Sequence, residues 1–466
     1  MPPAHKIGLR GFFYAAVCPS YMLTSEPSIW VITLIVTLRL SEWISYFLAA
    51  VPPRSRRSFL ELLCGCLISP DGWVTRALSH ISLRCHWTTY YKLLVRESLR
   101  TQVLAIAQVH WLLSVLPPLP IVELIIDDTL VLRHSTKAPG ATIHFDHSHK
   151  HNRPRYVLAQ NWVGLALTLR SRSGKALSFP IRLRLVPRTG NTHKLKIAGA
   201  LLRAFIPHIP VPVRLLTDAW FMRRRLLLPL LRQRGQFIGQ VRQDTALYRQ
   251  PPPKPAKAQR GRPRKYGDKL TPEAIATLPT EILNLFVYGK WQKVRLQSIV
   301  AQARFLNGHP VRAVWSAIYD AKHHRWSPTR LYLASETDLT ASEIVTLYGN
   351  RWQIEPLFHN LKRWWGINNL WQQRRAVLER WMQIRCIAWS MVQLLAETVT
   401  EDFPMTAVAP WRIATPVTAG LMAQWLHLHF LRVPFWRGYD PKSGKFQCPN
   451  SDFWADTDDP PRKKAA

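Results

Sequence analysis

The sequence predicts an α/β protein that is preceded by a helical N-terminal region. Three observations lead to this prediction. Apolar residues recur at helical spacing over the first 110 or so residues, β-rich runs alternate with helical stretches from residue 121 to residue 242, and an amphipathic helix is expected near residue 350. With 466 residues the chain is too long for one small core, so roughly two to four domains are expected.

The charge balance predicts a polyanionic partner. Lysine and arginine number 63 against 28 aspartates and glutamates, which gives a net charge of +35 and a pI near 10.7. Nucleic acid is the first partner expected for so basic a globular chain, and an anionic membrane surface is the second.

Cysteine usage and hydropathy indicate the compartment. Six cysteines in so long a chain do not suggest a disulfide framework, so a reducing cytoplasm is expected. The apolar run Ser28–Leu38 is followed at once by Arg39 and Glu42, and its eleven residues are too few to span a bilayer. No cleavable signal pattern is visible, and no membrane partner is expected.

Residues 1–115 are interpreted as an α-helical DNA-binding region. Apolar stripes at 59–67, 74–83 and 90–95 indicate short helices, with a turn at 70–72. Basic side chains decorate the region: Arg54, Arg56, Arg57, Arg76, Arg84, Lys92, Arg96 and Arg100. Short helices, a tight turn and basic faces suit a helix-turn-helix-like fold. A plain helical bundle with solubilising charge fits the pattern equally well.

Residues 116–242 alternate between strands and helices. Strands are expected at 121–133, 156–170, 176–186, 211–218 and 236–242, and helices at 193–205 and 223–235. The order is three strands, a helix, a strand, a helix and a strand. That order fits the first part of a ribonuclease H-like α/β core.

Two acids are expected at the tips of buried strands in this core. Asp127 ends or nearly ends the first strand and Asp218 ends the fourth, and these strands are neighbours in a ribonuclease H-like arrangement. A carboxylate among apolar residues is costly unless a cation neutralises it, and Mg²⁺ or Mn²⁺ prefers oxygen ligands. Each aspartate could instead cap a turn. Strand alternation places Asp128 on the face opposite Asp127, and the choice between them as the acid of the site stays open at this point.

Residues 243–340 are interpreted as a basic linker followed by a β-rich insertion. Residues 251–269 are rich in proline, lysine and arginine, so an extended, solvated segment is expected. Within it, Arg262 and Arg264 belong to a sequence, RGRPRK, that resembles an AT-hook core, which lays arginines along an A·T-rich minor groove. A generic basic linker is an equal alternative. Strand-like runs return between residues 283 and 333.

A short histidine cluster lies in the first half of the core. It comprises His144, His147, His149 and His151. A polar loop facing DNA, a metal site and an ordinary surface all remain open for this cluster.

The stretch 348–362 is patterned as a helix with a chemically unusual polar face. Tyr348, Arg351, Glu355 and Lys362 fall on one side of the helical wheel, next to an apolar face. The ordinary interpretation is a solvated face of an amphipathic helix, and the alternative is an acid among phosphate-binding groups. Pro356 is expected either to kink the helix or to divide it in two. The core would end with helices at 341–400, and a partly disordered tail, 401–466, would follow.

The spacing within this stretch resembles a known signature. Tyr348, Arg351, Glu355 and Lys362 are separated by two, three and six residues, as in the Tyr-Arg-Glu-Lys signature of bacterial insertion-sequence transposases of the DDE type. The sequence DDT at 127–129 also matches the acid, any residue and threonine of that family, and TDAW stands at 217–220.

The resemblance implies a function and a set of site residues. Asp127, Asp218 and Glu355 would be catalytic and would bind two Mg²⁺ or Mn²⁺ ions per active site, while Tyr348, Arg351 and Lys362 would contact DNA. The enzyme would cut double-stranded DNA at terminal inverted repeats and join the 3′-hydroxyl ends to target DNA.

The resemblance also implies the setting of the reaction. The protein would act as a homodimer on DNA, in a bacterial cytoplasm and associated with the nucleoid. Two alternatives remain: another ribonuclease H-like nuclease, such as a resolvase, and a transposase remnant that binds DNA without cutting it.

Overall fold

The structure is a computed structural model, and it describes residues 27–69, 71–81, 83–146, 154–187, 191–251, 264–399, 403, 405–412, 416–429 and 434–446. The described residues form two compact units. One comprises those up to Ser98 together with those from Met391 onward, and the other comprises Leu99–Ser390. Each unit is described by itself below.

The helices of the described residues are named here in chain order. They are α1 (Pro27–Ala49), α2 (Arg56–Ile68), α3 (Val74–Ser79), α4 (Trp87–Val95), α5 (Thr101–Val115), α6 (Asn191–Phe205), α7 (Arg224–Arg232), α8 (Pro272–Ala276), α9 (Ala341–Gly349), α10 (Ile354–Arg363), α11 (Arg375–Thr398), α12 (Met405–Val408) and α13 (Ala419–His429).

The strands of the described residues follow the same order. They are β1 (Val122–Leu132), β2 (Ala141–Phe145), β3 (Tyr156–Arg170), β4 (Ala176–Leu185), β5 (Val213–Thr217), β6 (Gln236–Val241), β7 (Leu247–Tyr248), β8 (Glu281–Val287), β9 (Lys290–Ala303), β10 (His309–Asp320), β11 (Arg325–Trp326), β12 (Arg330–Ala334), β13 (Tyr439–Asp440) and β14 (Lys445–Phe446).

One large mixed sheet organises the unit Leu99–Ser390. Its strand order is β2-β3-β1-β5-β6-β12-β10-β9-β7, with β4 on β3, β8 on β9 and β11 on β10. β1 runs antiparallel to β3 and parallel to β5, and β5 runs parallel to β6. Parallel strands need both faces covered, and the apolar residues Leu124–Ile126 of β1 are accordingly buried. The fold is therefore mixed α/β, as the sequence predicted.

The β-rich block between residues 283 and 333 extends this sheet. β12 pairs antiparallel with β6, with Leu331 opposite Val241 and Ala334 opposite Ile238. β10 pairs with β12, and β9 pairs with β10. The block is thus hydrogen-bonded to the core through β12, a connection that the sequence pattern does not show.

The helix expected at 348–362 consists of two helices. α9 ends at Gly349, a 3₁₀ turn covers Asn350–Gln353, and α10 begins at Ile354. Pro356 is the third residue of α10, where a backbone N–H has no partner within the helix, so proline removes no hydrogen bond there. A division of the helix, one of the two expected effects of Pro356, is what the structure shows.

The other unit contains α1–α4 and α13. Arg57 of α2 donates a hydrogen bond from Nη2 to the backbone oxygen of Tyr439 at 2.8 Å, and Nδ1 of His427 in α13 lies 2.9 Å from the backbone oxygen of Ile68. This unit therefore joins segments from near both ends of the described chain. α5, which the sequence analysis assigned to the N-terminal region, groups with the sheet instead.

α1 is longer than the apolar run that predicts it. By length and composition alone it could cross a membrane, since Ile32–Ala49 has a mean hydropathy of 1.4. Half of that window is buried inside the protein, and the core helix of a protein without a membrane span passes the same test. The expectation of no membrane partner stays a prediction.

Candidate active site

β1 and β5 bring two aspartates side by side. Their parallel register pairs Ile126 with Thr217, so Asp127 and Asp218 are the next residues on the two adjacent strands. Asp218 follows the end of β5 directly, as predicted. Asp127 does not end β1, which continues to Leu132 in its pairing with β3. The prediction that Asp127 lies near the end of its own strand is therefore wrong. The neighbouring strand β5 ends beside Asp127, whereas β1 continues past it.

The two neighbouring acids on β1 have different partners. Lys194 of α6 bonds both oxygens of Asp128, at 2.9 and 3.1 Å, and Asn161 of β3 donates to Asp128 Oδ2 at 2.9 Å. Asp127 instead receives the backbone N–H of Asp128 at 2.8 Å and lies beside Asp218. Asp128 is thus paired with Lys194 and Asp127 with Arg351, and the assignment of Asp127 as the acid of the site stays a prediction.

Asp218 also stabilises the turn that follows it. Its Oδ1 accepts the backbone N–H groups of Trp220 at 3.0 Å and Phe221 at 3.1 Å. The turn-capping interpretation of this residue is therefore present in the structure. Both bonds use Oδ1, so capping does not prevent Asp218 from also serving as a ligand through its other oxygen.

Burial and neighbouring carboxylates raise the pKa of Asp127 and of Asp218. Burial, followed by the charge of Asp218, raises the pKa of Asp127 to about 7, although Arg351 opposes the shift. Burial likewise raises the pKa of Asp218, while the N–H of Phe221 and the charge of Arg351 act against it. Both carboxyl groups are poorly solvated, and nearby positive charge compensates their ionised forms only in part.

Arg351 connects the first acid to Glu355. It lies in the 3₁₀ turn between α9 and α10, where its side chain is 14 % exposed. Its Nη1 is 3.2 Å from Asp127 Oδ2, and its Nη2 is 2.7 Å from Glu355 Oε1. Burial alone would lower the pKa of Arg351, but Tyr348 and the two carboxylates raise it. The arginine is thus a fully charged bridge between two candidate acids.

A glycine on β3 allows α10 to approach these acids. Gly164 is the residue of β3 that pairs with Asp127. A Cβ atom at Gly164 would lie 2.9 Å from the ring of Phe358, which is closer than side chains pack. Since Phe358 is three residues after Glu355 on α10, this contact fixes the start of α10, with Glu355, next to β1.

The remaining residues of the signature are placed differently. Tyr348 is buried, 3 % exposed, with its ring centroid 4.6 Å from that of Tyr332 and the Arg351 guanidinium 5.9 Å from the ring. Burial raises its pKa. Lys362 is half-buried in the last turn of α10, and Glu355 is 49 % exposed.

Other predicted site residues lie elsewhere in the chain. Arg264 is exposed at the start of a described segment, and Arg262 lies outside the described residues. His144 is on β2, with Nε2 2.9 Å from Thr142 Oγ1, and burial together with Lys194 lowers its pKa. The other three histidines of the cluster, at 147, 149 and 151, also lie outside the described residues.

Lys194 is the site residue that the sequence analysis missed. Besides the bonds to Asp128, its Nζ lies 4.4 Å from the ring centroid of Trp220, two residues after Asp218. Lys194 therefore contacts Asp128 directly and lies beside the turn that follows Asp218. A lysine in the first turns of a helix gives no sign of this role, because the pairing depends on the tertiary arrangement of α6 and β1.

The acids of the site have the donor chemistry that a divalent cation needs, but they do not form a ready ligand group. Within the described part of the chain, no group of three His, Cys, Asp or Glu side chains is placed so that it could hold a metal ion, and Glu355 bonds Arg351 instead. The set formed by Asp127, Asp128, Asp218 and Glu355 with the cations Arg351 and Lys194 nevertheless has two more negative than positive charges when ionised. Asp127 and Asp218 offer the oxygen ligands that Mg²⁺ and Mn²⁺ prefer.

Comparison with known proteins decides the family. The family described as "Transposase DDE domain" matches residues 118–391, which is more than half of the chain. The chain belongs to this family. The matched segment includes β1, β5 and α10, and so all three acids predicted for a DDE transposase. The comparison with curated proteins gives no match.

Proposed function

We propose that the chain is the transposase of a bacterial insertion sequence, which cuts double-stranded DNA at terminal inverted repeats and joins the 3′-hydroxyl ends to target DNA. The observation that carries the proposal is the juxtaposition of Asp127 and Asp218 on adjacent parallel strands, with Glu355 linked to Asp127 through Arg351. Membership of the DDE transposase family supports it independently. A nucleoid-associated, cytoplasmic location belongs to the same proposal.

The order of the strands supports a ribonuclease H-like core. Its five strands in chain order would be β1, β3, β4, β5 and β6, and they lie side by side as β4-β3-β1-β5-β6. The three strands before the first crossover helix are antiparallel neighbours, and the parallel pairs β1–β5 and β5–β6 follow α6 and α7. The later block β8–β12 would be the insertion, and α9–α11 the closing helices.

Asp127 and Asp218 would hold the divalent cations, with Glu355 as a third ligand once Arg351 leaves it. We propose two Mg²⁺ or Mn²⁺ ions per active site. Such ions supply an activated water and stabilise the leaving oxygen in phosphodiester cleavage. The raised pKa of Asp127 is consistent with a ligand position, because bound positive charge would keep both aspartates ionised.

Arg351 and Lys362 would contact the DNA backbone near the scissile bond. The guanidinium of Arg351 already holds two carboxylates, and its planar fork suits phosphate oxygens equally well. Arrival of DNA would therefore move Arg351 from the carboxylates to a phosphate. A contact between Tyr348 and DNA stays a prediction. Because Tyr348 is buried and its ring faces the Arg351 guanidinium, a role in positioning Arg351 fits the structure better.

The test uses the purified full chain and labelled DNA that spans both flanks of its gene. With Mg²⁺ or Mn²⁺ added, we expect cuts at paired inverted repeats, mapped on a denaturing gel. Glu355→Gln should abolish the cuts and leave DNA binding largely intact. Glu273→Gln, the same change at an exposed position of α8, serves as the control and should cut normally. A fully active Glu355→Gln protein would refute the proposal.

A DNA-binding remnant that does not cut is the second candidate. The observation that favours it is the bridge by Arg351, which occupies both Asp127 and Glu355. Tight binding of the flanks without any metal-dependent cut would establish this candidate. Cuts at branched DNA or at RNA, instead of at inverted repeats, would indicate a resolvase-type nuclease. Light scattering of the complex with both ends would test the proposed homodimer.

A further inference from the structure

One face of α4 is exposed and combines aromatic with basic side chains. Trp87 is 57 % exposed and Val95 46 % exposed. These two residues line an open surface cavity of about 430 Å³ together with four others: Thr88, Tyr91, Lys92 and Arg96. Positions 87, 91 and 95 form one row along the helix, and positions 88, 92 and 96 form the adjacent row. The face therefore has an apolar row next to a row that ends in two cations.

The opposite face of α4 is fixed to the rest of its unit. Tyr90, Leu93 and Leu94 are buried. The Tyr90 hydroxyl donates a hydrogen bond to Oε2 of Glu61, a fully buried acid of α2. Because this buried face anchors the helix to α2, packing within the unit does not explain the exposed aromatic and basic rows.

The local charge favours a polyanion on this surface. From residue 83 to residue 98 the chain carries three cations, Arg84, Lys92 and Arg96, and one acid, Glu97. Arg84, Lys92 and Arg96 are all exposed. A second protein copy with the same basic surface would be repelled, whereas DNA phosphates would be attracted.

We propose that the exposed face of α4 enters the major groove and reads the sequence of the DNA ends that this protein cuts. The inference rests on the proposed function and adds the surface that selects the substrate. The family match begins at residue 118 and gives α4 no role. The major groove is about 12 Å wide and admits an α-helix.

The residues of the two rows would make different contacts with DNA. Trp87, Thr88 and Tyr91 lie in the first turns of α4, where residues of a groove-bound helix meet base edges. Thr88 and Tyr91 can hydrogen-bond bases, and Trp87 can pack on a thymine methyl group. Lys92 lies further along the helix and Arg96 follows its last residue, and both would pair with phosphates or guanine.

The experiment measures binding without cutting. The full chain with Glu355→Gln is titrated against labelled DNA from the flanks of its gene and against a scrambled duplex, at several salt concentrations. In this background Lys92→Ala with Arg96→Ala should weaken end binding at least about tenfold and lower the slope of log affinity against log salt by roughly two. Trp87→Ala with Thr88→Ala should remove the preference for the ends and change binding of scrambled DNA little.

A matched control removes the same charge from the same unit. Arg39→Ala with Arg412→Ala changes two exposed arginines away from α4 and should bind the ends as the parent does. Circular dichroism and thermal melting of each variant check that it is folded. Binding of the ends by the Lys92/Arg96 variant that equals the control would overturn the proposal. So would a change of oligomeric state, by light scattering, with unchanged DNA binding, since that result assigns the face to a second copy.

Two outcomes separate this proposal from the proposed function. If the chain with intact Glu355 binds its ends through α4 and never cuts them, the transposase activity fails and the DNA-reading face stands. If that chain cuts the ends, and the α4 variants with intact Glu355 cut them with unchanged efficiency and preference, the activity stands and the reading face fails.

Discussion

The two ends of the β1–β5 strand pair differ in how far their carboxylates are balanced by arginines. Near the start of the strands, Arg214 makes two bonds of 2.7 Å with Glu336 and lies 3.7 Å from Glu123. Asn350 donates to Glu123 at 2.9 Å, and the charge of Arg170 also favours its ionised form. Burial still raises the pKa of Glu123, but two arginines face two glutamates at this end.

At the other end, the acids outnumber the cations. Asp127, Asp218 and Glu355 share Arg351, and the repulsion of Asp218 adds to burial in raising the pKa of Asp127 to about 7. One arginine compensates these acids only in part, and incompletely compensated buried charge is destabilising. The network around Arg214 is thus balanced within the protein, whereas the network around Asp127 is the one that the proposal assigns to a divalent cation.

Loss of DNA cleavage should distinguish the acids at the two ends of the strand pair most strongly. Asp127→Asn should reduce metal-dependent cleavage on the order of 10⁴-fold or more, because it removes a proposed ligand from groups that act as a unit. Glu123→Gln, four residues earlier on β1, should retain most of the cleavage of folded protein. The measurement is single-turnover cleavage of end DNA. Equal losses in the two variants would remove the functional distinction between the ends.

Protein stability should depend more on Arg214, near the start of the strands, than on Arg351 at the other end. Arg214→Met leaves the buried Glu123 and the partly buried Glu336 without their cation and should lower the free energy of unfolding by about 3–5 kcal/mol. Mg²⁺ should not restore it. Arg351→Met should lose less, and Mg²⁺ should recover part of the loss by binding the freed acids. Urea unfolding with and without Mg²⁺ checks both variants, and recovery of Arg214→Met by Mg²⁺ would contradict the comparison.

The pH dependence of stability gives the smallest effect. The pKa of Asp127 is about 7 in the folded protein and near 4 when unfolded, so the unfolded chain releases this proton first. Stability in the absence of metal should therefore fall between about pH 4 and pH 7 and then level off.

Asp127→Asn isolates this contribution. The variant should match the parent near pH 4 and exceed it at pH 8 by less than the loss expected for Arg214→Met. Unfolding curves across this pH range measure the difference. A variant that is less stable than the parent at pH 8 would show that the charge on Asp127 is already compensated in the metal-free protein.

Much of the sheet could be predicted from the sequence. The limits of β3, Tyr156–Arg170, coincide with the predicted strand, and the other core strands differ by a few residues. Long runs of apolar and β-branched residues decide such strands locally. The short strand β2 has no such run and is not among the predicted strands.

The partners of the charged residues could not be predicted in the same way. Periodicity placed Arg351 and Glu355 on one face, and the structure shows them as an ion pair that also includes Asp127. Lys194 is 66 positions from Asp128, and β12 reaches β6 only after a long insertion. Such contacts depend on how distant segments pack, which local spacing does not encode.

The helical unit that presents α4 has a consequence for the order of synthesis. Arg57 and Tyr439 are separated by 382 positions, and Ile68 and His427 by 359. On the ribosome, α2 therefore emerges long before the segments that pack against it. A chain that stops after the sheet would have its three acids but an unfinished helical unit. The unit that carries the proposed DNA-reading face could therefore be completed only after residues 427–439 have been synthesised.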